Sequence, residues 1–130
     1  MKSHVKIGEE DFHMNCWKFI QFQYPKLIQQ KRIFHVPNGG KRITKTNSKG
    51  QTYSPEAIRF KKMGVTAGIP DFLILKKTGM LAAIELKVEG GVISNDQKEV
   101  HLQWQLLGIE IHVVWNFEEF KEALKLILNN

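Results

Sequence analysis

Three residues near the middle of the chain combine two acids with one cation: Asp71, Glu85 and Lys87. Carboxylate oxygens bind Mg²⁺, and a bound divalent cation lowers the pKa of water and neutralises charge that develops on a reacting phosphate. A lysine beside such an ion can orient the attacking water or stabilise the same charge. These residue types therefore predict metal-dependent phosphodiester hydrolysis, provided that the three side chains meet.

Two apolar segments are expected to bring the three side chains together. Residues 71–75 (DFLIL) and 81–87 (LAAIELK) predict two strands joined by a turn around Lys77-Thr78-Gly79. If the turn centres near Thr78, antiparallel partners have residue numbers that sum to about 156, so Asp71 lies opposite Glu85. Side chains alternate along a strand, which places Lys87 on the same face as Glu85. A shift of one residue in this register would separate the faces.

A plainer explanation is a solvated surface group of Asp, Glu and Lys, whose ion pairs contribute little. The composition of the segments argues against it. Their apolar residues are nearly continuous, which is typical of strands covered on both faces, and unpaired charge is costly there. Geometry alone leaves the two explanations about equally favoured.

The composition is that of one globular domain over residues 1–130, since a second core of useful size would not fit. The net charge of +6 and the pI near 9.5 favour a polyanionic partner. A single cysteine, Cys16, excludes an internal disulfide and a cysteine-based zinc cluster, and it predicts a reducing, intracellular compartment. No apolar stretch is long enough to cross a membrane.

Four helices and four strands are predicted, including the two strands of this hairpin. Helices are expected at residues 9–24, 54–63, 95–107 and 117–128, and strands at 32–36, 71–75, 81–87 and 109–115. The first helix carries an apolar stripe of Phe12, Cys16, Phe19 and Ile20, and Pro25 ends it. The order α-β-α-β-β-α-β-α predicts an α/β fold with a mixed central sheet flanked by helices.

The remaining polar residues support weaker hypotheses. Residues 41–53 are basic and rich in turn formers, which predicts either a solvated loop or a loop that contacts phosphates. The five histidines do not pair at ligand spacing in the sequence, so they are expected to be solvent-exposed or packed. Cys16 is expected to be a buried, unreactive thiol.

Beyond these arguments, the sequence resembles the VRR-NUC branch of the PD-(D/E)xK nucleases. The motifs that carry the resemblance are Gly68-Ile69-Pro70-Asp71, Ile84-Glu85-Leu86-Lys87 and Ser94-Asn95-Asp96-Gln97, with Pro37-Asn38-Gly39-Gly40-Lys41-Arg42 and Phe60-Lys61-Lys62-Met63-Gly64 upstream. Gly108, followed by a strand rich in valine, matches the closing segment, so the resemblance extends over most of the chain. It implies a restriction-endonuclease-like core.

The resemblance also implies a role for each matched residue. Asp71, Glu85 and the backbone carbonyl of Leu86 would bind Mg²⁺ or Mn²⁺, with Lys87 as the catalytic lysine. Gln97 would position the scissile phosphate or the attacking water. A glutamate of the first helix would join both the catalytic set and the metal ligands, and Glu9 is favoured slightly over Glu10. Family members often carry Gln four residues after this glutamate, where the present chain has His13.

The implied activity is that of an endodeoxyribonuclease that cleaves branched or structured DNA, as in Holliday-junction resolution during DNA repair. The resemblance implies a homodimer with no organic cofactor, in the cytoplasm of a bacterial or phage-infected cell. Two alternatives stay open: a sequence-specific restriction-type endonuclease, and a non-catalytic DNA-binding module on a nuclease fold. The residues expected to contact DNA are Asn38, Lys41, Arg42 and Lys45.

Overall fold

A computed structural model describes residues 7–37 and 45–129 of the protein. The helices are α1 (Glu9–Gln23), α2 (Pro25–Gln29), α3 (Pro55–Lys62), α4 (Asn95–Leu106) and α5 (Phe117–Leu128). The strands are β1 (Ile33–His35), β2 (Lys45–Thr46), β3 (Thr52–Tyr53), β4 (Phe72–Leu75), β5 (Leu81–Leu86) and β6 (Glu110–Val114). The predicted elements are thus all present, and α2, β2 and β3 are additional.

The central sheet has the order β1-β4-β5-β6. β1 and β5 run antiparallel to β4, while β6 runs parallel to β5 after the crossover through α4. Leu75 pairs with Leu81 and Phe72 with Ile84, which is the register that the sequence predicts. The mixed sheet flanked by helices is confirmed, and the hairpin has its open end at residues 71 and 85.

The main core lies between one face of this sheet and the helices α1 and α5. From the sheet it takes alternate residues of β5, Ala82, Ile84 and Leu86, together with Phe72 and Ile74 of β4. The helices contribute the buried residues Phe12, Cys16, Ile20, Phe120, Ala123, Leu124 and Ile127. Because side chains alternate along a strand, Ala83 and Glu85 point to the opposite face, on the side of α4.

Cys16 is fully enclosed in this core. Burial, and secondarily the charge of Asp71, raises the pKa of the thiol to about 12. The raised pKa disfavours the thiolate, and the expectation of a buried cysteine is confirmed.

Several predicted details differ from the structure. Pro25 ends α1 as expected, yet it also occupies the first turn of α2, where its missing N–H has no cost. Part of the basic segment forms the small hairpin β2–β3. Leu75 is 37% exposed, so β4 is not covered on both faces as β5 is. Leu107, the last residue of the helix predicted over 95–107, lies beyond the end of α4 and is 74% exposed.

Among the helices in the described parts of the chain, none is both long and apolar enough to span a bilayer.

Candidate active site

Asp71 is the best-anchored residue at the open end of the β4–β5 hairpin. Its carboxylate oxygen Oδ2 accepts a hydrogen bond of 2.7 Å from the backbone N–H of Leu86 on β5. Its backbone carbonyl accepts a hydrogen bond of 2.9 Å from the N–H of Val36 and lies 2.8 Å from Nδ1 of His35. These contacts fix both the main chain and the side chain of Asp71.

Glu85 is an acid in an interior position, with only 1% of its surface exposed. Burial, followed by the hydrogen bond and the charge of Asp71, raises its pKa to about 9, against the opposing effect of Lys87. Its oxygen Oε1 is buried and has no hydrogen-bond partner among the described residues. A buried carboxyl group with an unused oxygen beside a second acid is strongly stabilised by a proton or by a cation.

Lys87 follows directly on β5 and is 7% exposed. Its backbone N–H donates to the carbonyl of Val114 at 2.9 Å, which extends the pairing of β5 with β6 by one residue. Its ammonium lowers the pKa of Glu85, as expected of a cation close to that carboxyl group. The structure therefore brings Asp71, Glu85 and Lys87 together, in the geometry that the assumed register predicts.

Of the two candidate glutamates on the first helix, Glu9 is the one whose charge affects the pKa of Glu85. The charge of Glu9 is among those that raise the pKa of Glu85, whereas Glu10 is not among them. Glu9 is the first residue of α1 and is exposed, so its carboxylate reaches the open end of the hairpin from solvent.

Gln97 belongs to the cap of α4. Its Oε1 accepts a hydrogen bond of 2.9 Å from the N–H of Ser94, while its own N–H donates to Oγ of Ser94 at 3.1 Å. This reciprocal arrangement is a capping box, and it fixes the first turn of the helix. The side-chain amide nitrogen of Gln97 takes no part in the cap.

The loop before Asp71 packs directly on this helix start. Gly68 has a φ of +91°, and a Cβ at that position would lie 2.5 Å from the carbonyl group of Asp96. Only glycine fits such a position, because a side chain would meet rigid backbone in a conformation that favours glycine. Together with the buried Pro70, this contact sets the position of Asp71 relative to α4.

Two histidines lie beside this group: His35 is exposed and His13 is packed on Phe72, as expected, but their closeness to each other and to Asp71 was not predicted. His13 of α1 and His35 of β1 have ring centroids 4.1 Å apart, and both approach Asp71. Burial and the neighbouring His35 lower the pKa of His13, against the opposing charge of Asp71. The two residues are distant in the sequence, so a search for local ligand spacing misses them. The available signals were that His13 lies one turn after Glu9, and that β1 ends beside the start of β4.

Of the basic residues expected to contact DNA, one lies within the described part of the chain. Lys45 lies on β2, is exposed, and lines a shallow cleft of about 390 Å³ with Pro55, Glu56 and Arg59. Asn38, Lys41 and Arg42, the other expected DNA contacts, lie outside the described residues. The cleft gives Lys45 a cationic neighbour, Arg59, on the adjacent helix.

The donor set of this site fits a divalent cation. Two acidic side chains face each other, one of them has a buried oxygen with no partner in the described part of the chain, and a lysine lies beside them. Hard oxygen ligands of this kind suit Mg²⁺ or Mn²⁺. The residues available to hold the ion are Asp71, Glu85, Glu9 and the carbonyl of Leu86.

Comparison with solved structures finds a chain with a similar fold. The protein superposes on a chain described as "VRR_NUC domain protein" with a TM-score of 0.69 and 21% sequence identity. The match covers 95% of the present chain and 89% of the other. The chain has the VRR-NUC fold. The resemblance drawn from the motifs is thus confirmed at the level of architecture, including the restriction-endonuclease-like core.

Comparison at the level of sequence adds nothing to this match. No family model matches the chain, and a search of curated proteins found no match. The structural match therefore carries the relationship.

Proposed function

We propose that the protein is a divalent-metal-dependent endodeoxyribonuclease. The observation that carries the proposal is the buried carboxyl group of Glu85, which has an oxygen with no partner among the described residues, faces Asp71 and lies near the ammonium of Lys87. An interior carboxyl pair of this kind reduces stability unless a cation completes it, and proteins retain such groups chiefly at functional sites. The shared fold with a VRR_NUC domain protein supports the same assignment.

The proposed roles follow from where each group lies. Asp71, Glu85, Glu9 and the carbonyl of Leu86 would hold Mg²⁺ or Mn²⁺, which supplies Lewis-acid stabilisation of the phosphate and a more acidic water. Lys87 would orient the attacking water by a hydrogen bond from its ammonium, and would stabilise negative charge that develops on the phosphate oxygens.

Positioning of the DNA is assigned to groups at the edge of this site. The side-chain amide nitrogen of Gln97 would donate to the scissile phosphate, since the oxygen of the same amide is held in the cap of α4. Lys45, together with Asn38, Lys41 and Arg42, would contact the backbone of the DNA outside the site. The net charge of +6 supports a polyanionic substrate.

The proposed substrate is branched DNA, such as a four-way junction, and the proposed assembly is a homodimer in the cytoplasm. Both rest on the resemblance of the motifs. Two symmetric sites would suit paired cuts in a junction, because a twofold axis of the protein can match that of the substrate. One domain of 130 residues gains a larger DNA footprint in this way.

The direct test is cleavage of a labelled panel of junction, flap, splayed and linear duplex DNA with Mg²⁺, with Mn²⁺ and with EDTA. We expect the purified protein to cut the junction in the presence of metal only. Asp71→Asn, which retains the shape of the side chain, should abolish cleavage and leave DNA binding largely intact. The matched control is Asp96→Asn, which changes an exposed aspartate at the start of α4.

The outcomes of this panel separate the alternatives. Discrete bands from long duplex DNA would point to a sequence-specific enzyme in place of a junction-selective one. Intact substrates under every metal condition, with binding preserved, would point to a non-catalytic module. Cleavage by Asp71→Asn at the wild-type rate would overturn the assignment of the site. Sedimentation of the protein with and without junction DNA tests the dimer.

A further inference from the structure

We propose that His13, His35 and Asp71 form a second cation site, adjacent to the nuclease site, for a first-row transition metal ion of the Zn²⁺ type. One ring nitrogen of each histidine and one carboxylate oxygen of Asp71 lie within 4.8 Å of one another. Two imidazoles and a carboxylate are a common set of protein ligands for zinc. Atoms at this spacing converge on one ion after small side-chain rotations.

The surroundings of His35 favour ligation. Its Nδ1 lies 2.8 Å from the backbone carbonyl of Asp71, which is a hydrogen bond when that nitrogen carries the proton. The protonated Nδ1 leaves Nε2 with the lone pair that a metal requires. Histidine ligands are characteristically oriented by a hydrogen bond of this kind from the second ring nitrogen.

The surroundings of His13 hold its ring in place. The imidazole stacks on Phe72, with centroids 4.6 Å apart and an angle of 27° between the planes, and it meets the ring of His35 edge to face. α1 and the sheet therefore fix its position before any ion binds, which reduces the cost of ordering the ligands.

An ion can also reach the site. His35 is exposed, and a cleft of about 410 Å³ opens beside the two histidines, between Met14, Trp17, Lys18 and Gln21. Three protein ligands leave at least one coordination position of a tetrahedral ion for water or for a phosphate oxygen. The site is thus accessible from solvent, and an ion bound there would have a coordination position open for a further ligand.

Nitrogen ligands distinguish this site from its neighbour. Mg²⁺ prefers oxygen ligands, whereas imidazole suits Zn²⁺ and related ions. Asp71 is common to both sites, while Glu85 belongs only to the nuclease site and the histidines only to the second. Substitutions can therefore separate the two sites, and the second can be measured by metal binding without any cleavage assay.

The test is titration of the metal-free protein with Co²⁺, followed by visible absorption and by calorimetry. Co²⁺ is the probe because its ligand-field bands report nitrogen ligation. We expect a saturable site in the wild type and in Glu85→Gln. His13→Gln and His35→Asn should each weaken Co²⁺ binding by at least about 10–100-fold. Asn at position 35 retains a donor near the position of Nδ1 and removes Nε2, so the contact with Asp71 is preserved.

Two controls make the result decisive. His112→Gln removes a histidine that contacts Glu110 at a distance from Asp71, and it should bind Co²⁺ as the wild type does. In the wild type, the imidazole ¹⁵N resonances of His13 and His35 should shift with Zn²⁺ and not with Mg²⁺, which avoids any effect of substitution on folding. Unchanged resonances, or wild-type Co²⁺ affinity in both histidine variants, would overturn the proposal.

The result is independent of the proposed nuclease activity. A protein that cleaves no DNA yet shows histidine-dependent Co²⁺ binding would retain this site and refute the nuclease function. Mg²⁺-dependent cleavage with no response of His13 or His35 to Zn²⁺ would do the reverse.

Discussion

An acidic residue lies at each end of the β4–β5 hairpin, and the two differ in whether neighbouring groups compensate the carboxylate charge. At the turn end, both carboxylate oxygens of Glu110, on the adjacent strand β6, have partners. Oε1 lies 2.7 Å from Nζ of Lys76, and Oε2 lies 2.6 Å from Nε2 of His112. At the open end, Glu85 faces the acid Asp71, and one of its oxygens has no partner among the described residues. The same residue type is thus satisfied at one end and unsatisfied at the other.

The pKa values of the two glutamates shift in opposite directions. Burial raises the pKa of Glu110, but the hydrogen bonds and charges of His112 and Lys76 outweigh it and lower the net value. At Glu85 burial is the largest effect, the second acid adds to it, and Lys87 only partly offsets both. The glutamates at the two ends of the hairpin are therefore not equivalent, because neighbouring cations compensate the charge of Glu110 fully and that of Glu85 only in part. The end at which the protein leaves an acid uncompensated is the end that fits a cation.

The largest expected effect comes from neutralising Glu85, and the same change at Glu110 provides the comparison. Glu85→Gln should reduce metal-dependent cleavage by about 10²–10³-fold, since a proposed ligand is lost. The same change should raise the free energy of unfolding of the metal-free protein by about 1–3 kcal/mol, because burial no longer opposes a carboxylate. Urea denaturation in EDTA measures the second effect.

Glu110→Gln is the matched control for this pair of measurements. It should leave cleavage unchanged and lower stability slightly, since both partners of the carboxylate lose their charge-assisted bond. A metal-free Glu85→Gln less stable than the wild type would show that the protein itself compensates Glu85, and the contrast between the two ends would fail.

The next effect concerns the lysines of the two ends. Lys87→Met, which retains the aliphatic stem, should slow cleavage by about 10²-fold, because the ammonium acts on charge that develops in the reaction. Lys76→Met removes the equivalent cation from the turn end and should cleave at the wild-type rate. Single-turnover rates with saturating metal separate this effect from weaker metal binding. Equal rates in the two variants would remove Lys87 from the catalytic set.

The smallest effect is a pH dependence confined to the turn end. The pKa of Glu110 is lowered from its usual value of 4.5, so its ion pairs stabilise the protein above that pH. This contribution is lost as the pH falls through the lowered pKa, because the folded state must then bind a proton. The free energies of unfolding of the wild type and of Glu110→Gln should differ by less than about 1 kcal/mol near neutral pH and should converge in acid. A difference that does not shrink as the pH falls from neutral into acid would contradict the assignment of these ion pairs.

The sheet and its register were predictable from the sequence because local signals agree. The turn at Lys77-Thr78-Gly79 and the period of the strands together specify the pairing of residues 72 and 84. β5 is buried on both faces as its continuous apolar composition indicates, whereas Leu75 shows that the same composition did not decide the burial of β4.

The parts that escaped prediction depend on contacts between distant segments. His13 and His35 meet only because α1 and β1 are both placed beside β4, and nothing in their local sequence states this. The hairpin β2–β3 lies in a segment whose composition suggested only a loop, because two-residue strands have too short a pattern to recognise. The effect of Glu9 on the pKa of Glu85 likewise depends on the relative position of α1 and the sheet.

Leu86 shows a kind of contribution that substitution cannot reveal. Its side chain is fully buried in the core, while its backbone N–H holds the carboxylate of Asp71. Replacement by another apolar residue retains the N–H, and replacement by a polar residue disrupts the core, so a mutational scan would classify Leu86 as a packing residue. Replacing the amide that carries this N–H with an ester leaves every side chain unaltered. It would release Asp71 and show how far the main chain itself organises the site.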